Sequence, residues 1–233
     1  GIGDMADNRT VTITPLASTD DFSFVPESVT VSVSPSPIIQ MLRATKYLSE
    51  YPYGCIEQTL NSFIPNLALN RMLKQKGYGQ FINEKAKKKL DDKVSVGIDR
   101  IQRYQNDDGT WGWWAGSRGN AFVTGYVLYS LRLAQEAGFT VDTSIVARGL
   151  TAVRRYFSNP KLEEWDAVAY LMYINSLWGR WDHEIFKKII KVKEPGPYQT
   201  ACLVKALSLA RAYPKLTEEM RSDLSKMLPV LLW

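Results

Sequence analysis

Cys55 and Gln58 lie three residues apart, and their side chains are of types that can react with each other. Residues at i and i+3 of a helix share one face, so the Cys55 sulfur could approach the side-chain amide carbon of Gln58. If the thiol attacked that carbon and ammonia left, the product would be an internal thioester, an acyl group awaiting a nucleophile. The same spacing also fits a small buried Cys55 and an ordinary surface Gln58.

The residues around this pair predict a turn followed by a helix. Pro52 fixes its own φ, and Gly54 tolerates backbone angles that are closed to other residues, so a sharp turn is expected before the pair. Apolar residues then recur with helical spacing at Phe63, Leu67 and Leu69. This pattern predicts a helix from Gln58 to about Lys74, with a kink at Pro65.

Two blocks rich in glycine and aromatic residues accompany the pair. Residues 51–59 read Tyr-Pro-Tyr-Gly-Cys-Ile-Glu-Gln-Thr, which contains the pattern Gly-Cys-x-Glu-Gln. Residues 108–114 read Asp-Gly-Thr-Trp-Gly-Trp-Trp and are followed by Thr-Gly-Tyr-Val-Leu at 124–128. Both blocks, in this order, resemble the thioester domain of the alpha-2-macroglobulin and complement superfamily in its bacterial form. The resemblance is strong over residues 29–140 and looser elsewhere.

The resemblance implies a fold and a function. It implies an all-α domain, an α/α toroid of antiparallel helical hairpins, within a much longer protease trap. Cleavage of a bait region elsewhere in that protein would expose a Cys55–Gln58 thioester, which would acylate a lysine amine of the attacking protease. Such capture happens once per molecule, so the protein is expected to be an endopeptidase inhibitor and not a turnover enzyme. Glu57 is expected to position or polarise the pair.

Aromatic side chains near the two blocks are candidates for shielding the thioester. An acyl group that must survive until it is needed has to be kept from water. Tyr51, Tyr53, Trp113 and Trp114 are expected to supply that shield, whereas Trp111 is expected in the core. The alternative is that these aromatics pack the core or a partner surface.

The single histidine bears on which acceptor the acyl group prefers. The resemblance implies that members acylating hydroxyl groups use a His in the loop after the Asp-Gly block. The corresponding stretch here, residues 114–120, contains none. His183 is predicted to be a surface polar residue at a helix start. Amines are therefore the expected acceptors.

The order of elements along the chain indicates two parts. Residues 10–14 and 29–33 alternate β-branched and polar residues, so residues 1–34 are predicted to be a β segment of a neighbouring β-sandwich domain. Residues 35–233 are predicted to be the helical thioester domain. Their periodicity predicts about nine helices, fewer than the roughly twelve of a six-hairpin toroid, so an incomplete toroid is expected in a fragment of a longer protein.

Composition excludes several functions. The net charge is +5, but the basic residues are dispersed, so nucleic-acid binding is not expected. The chain has two cysteines and one histidine, fewer than the four ligands of a structural zinc site, and no metal or cofactor is predicted. Cys202 is predicted to be a buried, inert thiol. No apolar run is long enough to span a bilayer, so a membrane is expected only through an anchor outside this fragment.

Two other functions fit the same pattern. One is a non-covalent helical-toroid module in which Cys55 is a plain thiol. The other is a helical-toroid glycosidase, which needs two carboxylates across a cleft, but the sequence pairs its acids only as neighbours. For the trap, the resemblance implies target proteases and the other domains of the same long chain as partners. It also implies a periplasmic or inner-membrane lipoprotein of a bacterium, with secretion or cell-surface display as the alternative.

Overall fold

A computed structural model describes residues 54–74, 84–158, 165–192, 196–213, 217–218, 220–222 and 225–226. The predicted β segment, the domain boundary at residues 34 and 35, Tyr51 and Tyr53 lie outside these residues. Within them the chain forms helices and connecting loops, and no strand. The helices are α1 (Ile56–Leu73), α2 (Glu84–Arg103), α3 (Ala121–Glu136), α4 (Thr143–Ser158), α5 (Trp165–Leu177), α6 (His183–Val192) and α7 (Pro197–Ala210).

Alternate helices form one layer and the helices between them form a second. Along the chain, α1 packs on α3, α3 on α5 and α5 on α7. The intervening helices cover this row from outside: α2 packs on α1 and α3, α4 on α3 and α5, and α6 on α5. An inner row of every second helix, covered by the helices that connect them, is the arrangement of an α/α toroid. The predicted fold is confirmed for the described residues.

Burial separates the two layers. The outer helix α2 buries a single stripe with helical spacing, made of Leu90, Val94, Ile98 and Ile101. The inner helix α5 instead buries consecutive residues on several faces, namely Ala167, Val168, Ala169, Leu171, Met172, Ile174, Asn175 and Ser176. Each fully buried Leu or Ile contributes about 1.5–3 kcal/mol, so the inner row supplies much of the core. The inner helices are therefore rigid supports for groups at their ends.

A glycine lets two inner helices approach closely. A Cβ at Gly125 in α3 would lie 2.5 Å from Cε1 of Tyr170 and 3.0 Å from Cδ2 of Leu171, both in α5. Any larger residue at this position would push the two helices apart. The approach fixes the first turns of α3 and α5 side by side, at the end of the toroid where α1 also begins.

Helix positions agree with the sequence pattern to within a few residues, with one clear exception in burial. α1 begins at Ile56, slightly before the predicted start, and runs on through Pro65. His183, predicted to lie on the surface, is only 8% exposed, so that prediction is wrong. The reason is register: His183 opens α6 on the same face as Phe186 and Ile189, both of which pack into the core. Among the described residues no helix is long and apolar enough to cross a membrane.

Candidate functional site

The start of α1 brings Cys55 and Gln58 together through reciprocal hydrogen bonds. Cys55 is the N-cap residue, with extended backbone angles (φ −109°, ψ 170°), and its sulfur accepts a hydrogen bond from the backbone N–H of Gln58 at 3.4 Å. In return the side-chain carbonyl oxygen of Gln58 accepts the backbone N–H of Cys55 at 3.3 Å and that of Gly54 at 3.0 Å. This is a capping box in which a thiol stands where Ser or Thr is usual.

The capping box explains the contact better than helical spacing does. Cys55 lies outside the helix, so a shared helical face is not what brings the two side chains together. They meet because each satisfies a backbone N–H that the helix start leaves unpaired. The Gln58 amide is consequently held with its oxygen on two donors, in the same turn as the Cys55 sulfur. A thiol and an amide carbonyl are thus fixed as neighbours by the fold.

The groups of the cap differ in exposure. Cys55 is 8% exposed, Gln58 is half-buried and Glu57 is exposed. Buried Thr59 fastens the cap from below, since both its backbone N–H and its hydroxyl donate to the Cys55 carbonyl, at 3.1 Å and 3.0 Å. The sulfur is therefore sheltered, while the amide can be reached from outside.

A loop between α2 and α3, residues 104–120, docks on this cap, and we call it the tryptophan loop. The backbone N–H of Ile56 donates to the carbonyl of Trp113 at 2.8 Å, which joins the loop directly to the first turn of α1. The ring of Trp114 lies over Gly54, because a Cβ at that glycine would be 3.2 Å from Trp114 Cζ3 and 3.1 Å from Gln58 Oε1. Trp114 therefore covers the amide side of the cap.

The tryptophan loop is held by its own hydrogen bonds. Asn106 donates from its side chain to the Ser117 carbonyl at 3.0 Å and pairs along the backbone with Thr110 at 2.9 Å. The Ser117 hydroxyl accepts a hydrogen bond from the backbone N–H of Trp114 at 3.0 Å and donates one to the Trp114 carbonyl at 2.8 Å. Gly109 has a φ of +83°, and a Cβ there would meet the Arg148 carbonyl at 2.5 Å. Glycine is required at that turn.

Asp108 ties the loop to the neighbouring hairpin. Its carboxylate accepts the hydroxyl of Thr110 at 2.6 Å and the backbone N–H of Thr110 at 2.9 Å. Arg155 of α4 donates to the Asp108 carbonyl and lies 4.0 Å from its carboxylate. The hydrogen bond from the Thr110 hydroxyl, followed by the Thr110 N–H and the charge of Arg155, lowers the pKa of Asp108. Its carboxylate is an ionised structural group of the loop.

Trp111 anchors the loop in the core. It is fully buried, its indole N–H donates to the Ile101 carbonyl at 2.8 Å, and its backbone N–H donates to the Thr124 hydroxyl at 3.0 Å. The prediction that Trp111 belongs to the core is confirmed. Trp113 and Trp114 are 45% and 57% exposed, so they stand at the surface beside the cap.

A groove of about 310 Å³ opens next to the cap, and we call it the aromatic groove. It is built from the first two turns of α1, α3, α5 and α7 together with the tryptophan loop. Among the described residues that line it, Glu57 alone carries a charged side chain. The lining residues are Ile56, Glu57, Trp113, Phe122, Val123, Tyr126, Tyr170 and Tyr198.

The three tyrosines of the groove are held in their neutral form. Burial, and then the charge of Glu57, raises the pKa of Tyr126. Burial also raises the pKa of Tyr170, and it raises the pKa of Tyr198 to about 12. Near neutral pH the groove therefore presents uncharged rings and one carboxylate.

Cys202 lies behind the groove. It is buried in the middle of α7, and burial raises its pKa, with Asp166 acting in the same direction and a hydrogen bond from Tyr198 opposing it. A buried thiol with a raised pKa is a poor nucleophile. The prediction that Cys202 is a buried, inert thiol agrees with this environment.

The structure assembles five of the residues predicted from sequence at one place: Cys55, Glu57, Gln58, Trp113 and Trp114. Tyr51 and Tyr53 are outside the described residues, so their role as shields stays a prediction. Sequence reasoning missed the tyrosines of the groove. The spacing of Phe122 and Tyr126, aromatic at i and i+4 in the first turns of α3, was the available signal.

The helical toroid and the Cys–Gln capping box under the tryptophan loop fit the class of thioester-domain proteins that the sequence motif indicates. The sequence matches the family described as the A-macroglobulin TED domain over residues 28–154, more than half of the chain. The chain belongs to this family of thioester domains, which occur in protease-trapping alpha-2-macroglobulins.

Curated relatives agree with this assignment. The chain is 31% identical to the alpha-2-macroglobulin of Escherichia coli K12 over 148 residues, which are 63% of this chain and 9% of the relative. It is 30% identical to the alpha-2-macroglobulin of Thermotoga maritima over 142 residues, 61% of this chain and 8% of that protein. The chain therefore spans less than a tenth of the length of the curated relatives that it matches. Both relatives are bacterial.

Solved structures show the same fold. The native conformation of E. coli alpha-2-macroglobulin aligns with a TM-score of 0.63 at 22% identity, over 82% of this chain and 12% of that one. A Salmonella alpha-2-macroglobulin reacted with methylamine aligns with a TM-score of 0.60 at 22% identity, over 82% of this chain and 14% of that one.

Proposed function

We propose that Cys55 and Gln58 form an internal thioester that captures an attacking protease covalently through a lysine amine. The observation that carries the proposal is the reciprocal capping box, which holds the sulfur and the amide as neighbours at the surface of the toroid. Residues 35–233 would be the thioester domain of a longer trap, preceded by a β segment from residues 1–34.

Formation of the bond needs only the two side chains. The Cys55 sulfur attacks the Gln58 amide carbon, the carbon–nitrogen bond breaks, and the nitrogen takes up the proton that the thiol released and leaves as ammonia. The N–H groups of Gly54 and Cys55 already hold the Gln58 carbonyl oxygen, so they stabilise the negative charge that develops there. The partial positive charge at the start of α1 acts in the same direction.

The capture step uses the same groups. The lone pair of a lysine amine attacks the Gln58 carbonyl carbon, the carbon–sulfur bond breaks, and Cys55 leaves as a thiolate. The proton released by the amine finally reaches solvent or that sulfur. The product is an isopeptide-like amide between Gln58 and the protease. Because the acyl group is consumed, each molecule captures once.

Glu57, Trp113 and Trp114 would support this chemistry. Trp114 covers the amide side of the cap, and excluding water there slows loss of the acyl group by hydrolysis. Trp113 fixes the loop to the first turn of α1 through its carbonyl. Glu57 is exposed beside the amide and would position an incoming group. Tyr51 and Tyr53 would add to the shield.

Similar proteins support the whole-protein function. One structural neighbour is an E. coli alpha-2-macroglobulin activated by porcine elastase, and another is a Salmonella protein reacted with methylamine. By analogy, the full protein here would be a trap activated by proteolysis, with a thioester that reacts with amines. Its other domains and its target proteases would be its partners. A periplasmic, lipid-anchored protein is the location that we propose by the same analogy.

Amine incorporation in the full-length protein tests the proposal. The protein is treated with a labelled amine, digested, and the label is located by peptide mapping. Label is expected at residue 58, and Cys55→Ala should abolish it by removing the nucleophile. Cys202→Ala is the matched control and should leave labelling unchanged.

The folded state should survive the Cys55→Ala change. Loss of one capping side chain costs about 1–2 kcal/mol, a fraction of the stability of a domain with this core. Labelling that persists in Cys55→Ala, or that maps away from position 58, would contradict the thioester. It would favour the plain-thiol binding module instead.

A further inference from the structure

We infer that the aromatic groove is the subsite that receives the side chain of the acceptor lysine, with Glu57 attracting its ammonium group and later taking the proton that the attacking nitrogen releases. The inference rests on the proposed thioester and names the part of the site that selects its acceptor. In this inference the groove tyrosines and Glu57 contact the incoming lysine side chain. They take no part in forming the Cys55–Gln58 thioester.

The groove has the position that an acceptor requires. Ile56 and Glu57 form its wall in the first turn of α1, one residue before the reactive Gln58. Trp113 forms the adjoining wall and is joined to Ile56 by its carbonyl. Tyr126 stands over the following turn of α1, since its hydroxyl donates to the Asn61 side chain at 3.1 Å. A chain lying in the groove can therefore end at Glu57, the residue next to Gln58 in the sequence.

The walls fit an alkyl chain. Phe122 and Tyr170 lie stacked, with ring centroids 5.9 Å apart and an interplanar angle of 20°. Phe122 and Tyr198 are 43% and 47% exposed, so apolar ring surface faces solvent along the groove. Methylene groups gain free energy by covering such surface, and a lysine side chain brings four of them.

The charges select a cation. The chain as a whole carries a net charge of +5, yet the described residues that line this groove include no Lys and no Arg. Glu57 stands at one end, and the carboxylate of Asp166 acts on Tyr198 at the α7 side. Ring faces of neutral tyrosines attract an ammonium group further. The first turns of four helices bring partial positive charge, and the carboxylates of Glu57 and Asp166 offset it.

The carboxylate also accepts the proton that the attack releases. A lysine amine is protonated near neutral pH and has no lone pair with which to attack, so the ammonium group first loses one proton to solvent. The free amine attacks the Gln58 carbonyl carbon, its nitrogen becomes positively charged, and Glu57 takes one proton from that nitrogen as the Cys55 sulfur leaves. The proton held by Glu57 then passes to the thiolate or to solvent.

Rates of acylation with a series of nucleophiles test the subsite in the full-length protein after its thioester has been verified by peptide mass. The nucleophiles are methylamine, n-butylamine and hydroxylamine, the last of which is mainly uncharged near neutral pH. n-Butylamine should react about tenfold faster than methylamine, the ratio expected if three methylene groups are half-buried. Phe122→Ala should reduce that ratio about threefold, whereas Val96→Ala, at an exposed apolar residue of α2, should not change it.

The Glu57→Gln variant distinguishes an effect on the acceptor amine from an effect on the thioester bond. It keeps the size of the side chain and should slow both alkylamines at least about tenfold, while hydroxylamine should keep its rate within about twofold. Equal slowing of all three nucleophiles would place Glu57 on the thioester and overturn the inference. Equal rates for methylamine and n-butylamine would also overturn it.

Other outcomes identify a different occupant or a different failure. If Phe122→Ala accelerates every nucleophile and water alike, the groove is covered by another domain of the same chain, and the subsite inference is wrong. If the peptide mass shows no thioester at all, the proposed function itself fails. A thioester that forms but shows no preference among amines leaves the proposed function standing and refutes the subsite alone.

Discussion

The first turns of α1 and α7 differ in one respect that separates the proposed thioester site from a helix start without one. Each helix has a glutamine at its third position, Gln58 in α1 and Gln199 in α7. Both amides fold back toward the cap, since a Cβ at Gly196 would lie 2.8 Å from Gln199 Oε1. At α1 the cap residue is a cysteine whose sulfur accepts the Gln58 backbone N–H, whereas at α7 it is a glycine with no side chain.

The spacing between Cys and Gln is also the same at the two helix starts. Gln199 and Cys202 are also three residues apart, in the reverse order. Cys202 lies inside α7, where its thiol contacts Tyr198, and the Gln199 amide donates to Asp166. A Cys and a Gln three apart are therefore insufficient for this chemistry. The cysteine has to be the cap, outside the helix, so that the amide can turn back onto it.

The largest expected effect comes from removing the two glutamines in turn. Gln58→Ala should abolish amine incorporation, a loss of at least about a thousandfold, because it removes the acyl group. Gln199→Ala should leave incorporation unchanged, since its amide is held by Asp166. Labelling of the full-length protein by a radioactive amine measures both. An equal loss of amine incorporation in the two variants would contradict the proposed difference between the α1 and α7 starts.

A second effect concerns the acceptor at the α1 start. The only histidine of the chain is at the start of α6, and the tryptophan loop supplies no imidazole to activate a hydroxyl group. Methylamine should therefore be acylated at least about a hundredfold faster than glycerol at equal concentration. Competition between the two, read by peptide mass, checks this. Comparable glycerol labelling would mean that a relay operates after all.

The cover over the α1 cap should have a moderate effect. Trp114→Ala removes the ring that lies over Gly54 and the Gln58 amide, so water should hydrolyse the thioester about fivefold faster. The effect is limited because Trp114 is itself largely exposed. Appearance of a free Cys55 thiol over time is the readout, with Val96→Ala as the control. Unchanged hydrolysis would show that Trp114 is not part of the shield.

The smallest effect concerns the attachment of that cover. Asp108→Ala removes the hydrogen bonds that fasten the tryptophan loop and should cost about 1 kcal/mol, a modest value because Asp108 is mostly exposed. Because the pKa of Asp108 is lowered in the folded state, this contribution is present above the ordinary Asp range and is lost as pH falls through the lowered value.

Denaturant unfolding as a function of pH tests this sign. The wild type should exceed Asp108→Ala by a constant margin near neutral pH, and the two should converge only below about pH 4. A margin that grows on acidification would mean that the Asp108 carboxyl is not held ionised by Thr110 and Arg155.

Much of the fold was predictable because each helix carries a clear period. The apolar stripes of α2 and α4 set their bounds, and turn residues such as Gly138 and Gly179 separate neighbouring helices. His183 was mispredicted because a polar residue at a helix start is usually exposed, whereas the register of α6 turns this one into the core.

The site was predictable only in part. The motif identifies Cys55 and Gln58, but a cysteine is not a usual N-cap residue, so periodicity gave no reason to place it outside the helix. The aromatic groove was not predictable from local pattern. Glu57, Tyr126, Tyr170 and Tyr198 come from four different helices, and only the parallel inner row brings their first turns together.

The mass of the peptide containing Cys55 and Gln58, isolated from full-length protein without reduction or amine treatment, tests the central claim most directly. Loss of ammonia on thioester formation predicts a peptide lighter than its sequence mass by about 17 Da, with no alkylatable thiol at Cys55. A peptide about 1 Da heavier, with Glu at position 58, would show that the bond had formed and been hydrolysed. A peptide of the sequence mass with a freely alkylated Cys55 would contradict the thioester.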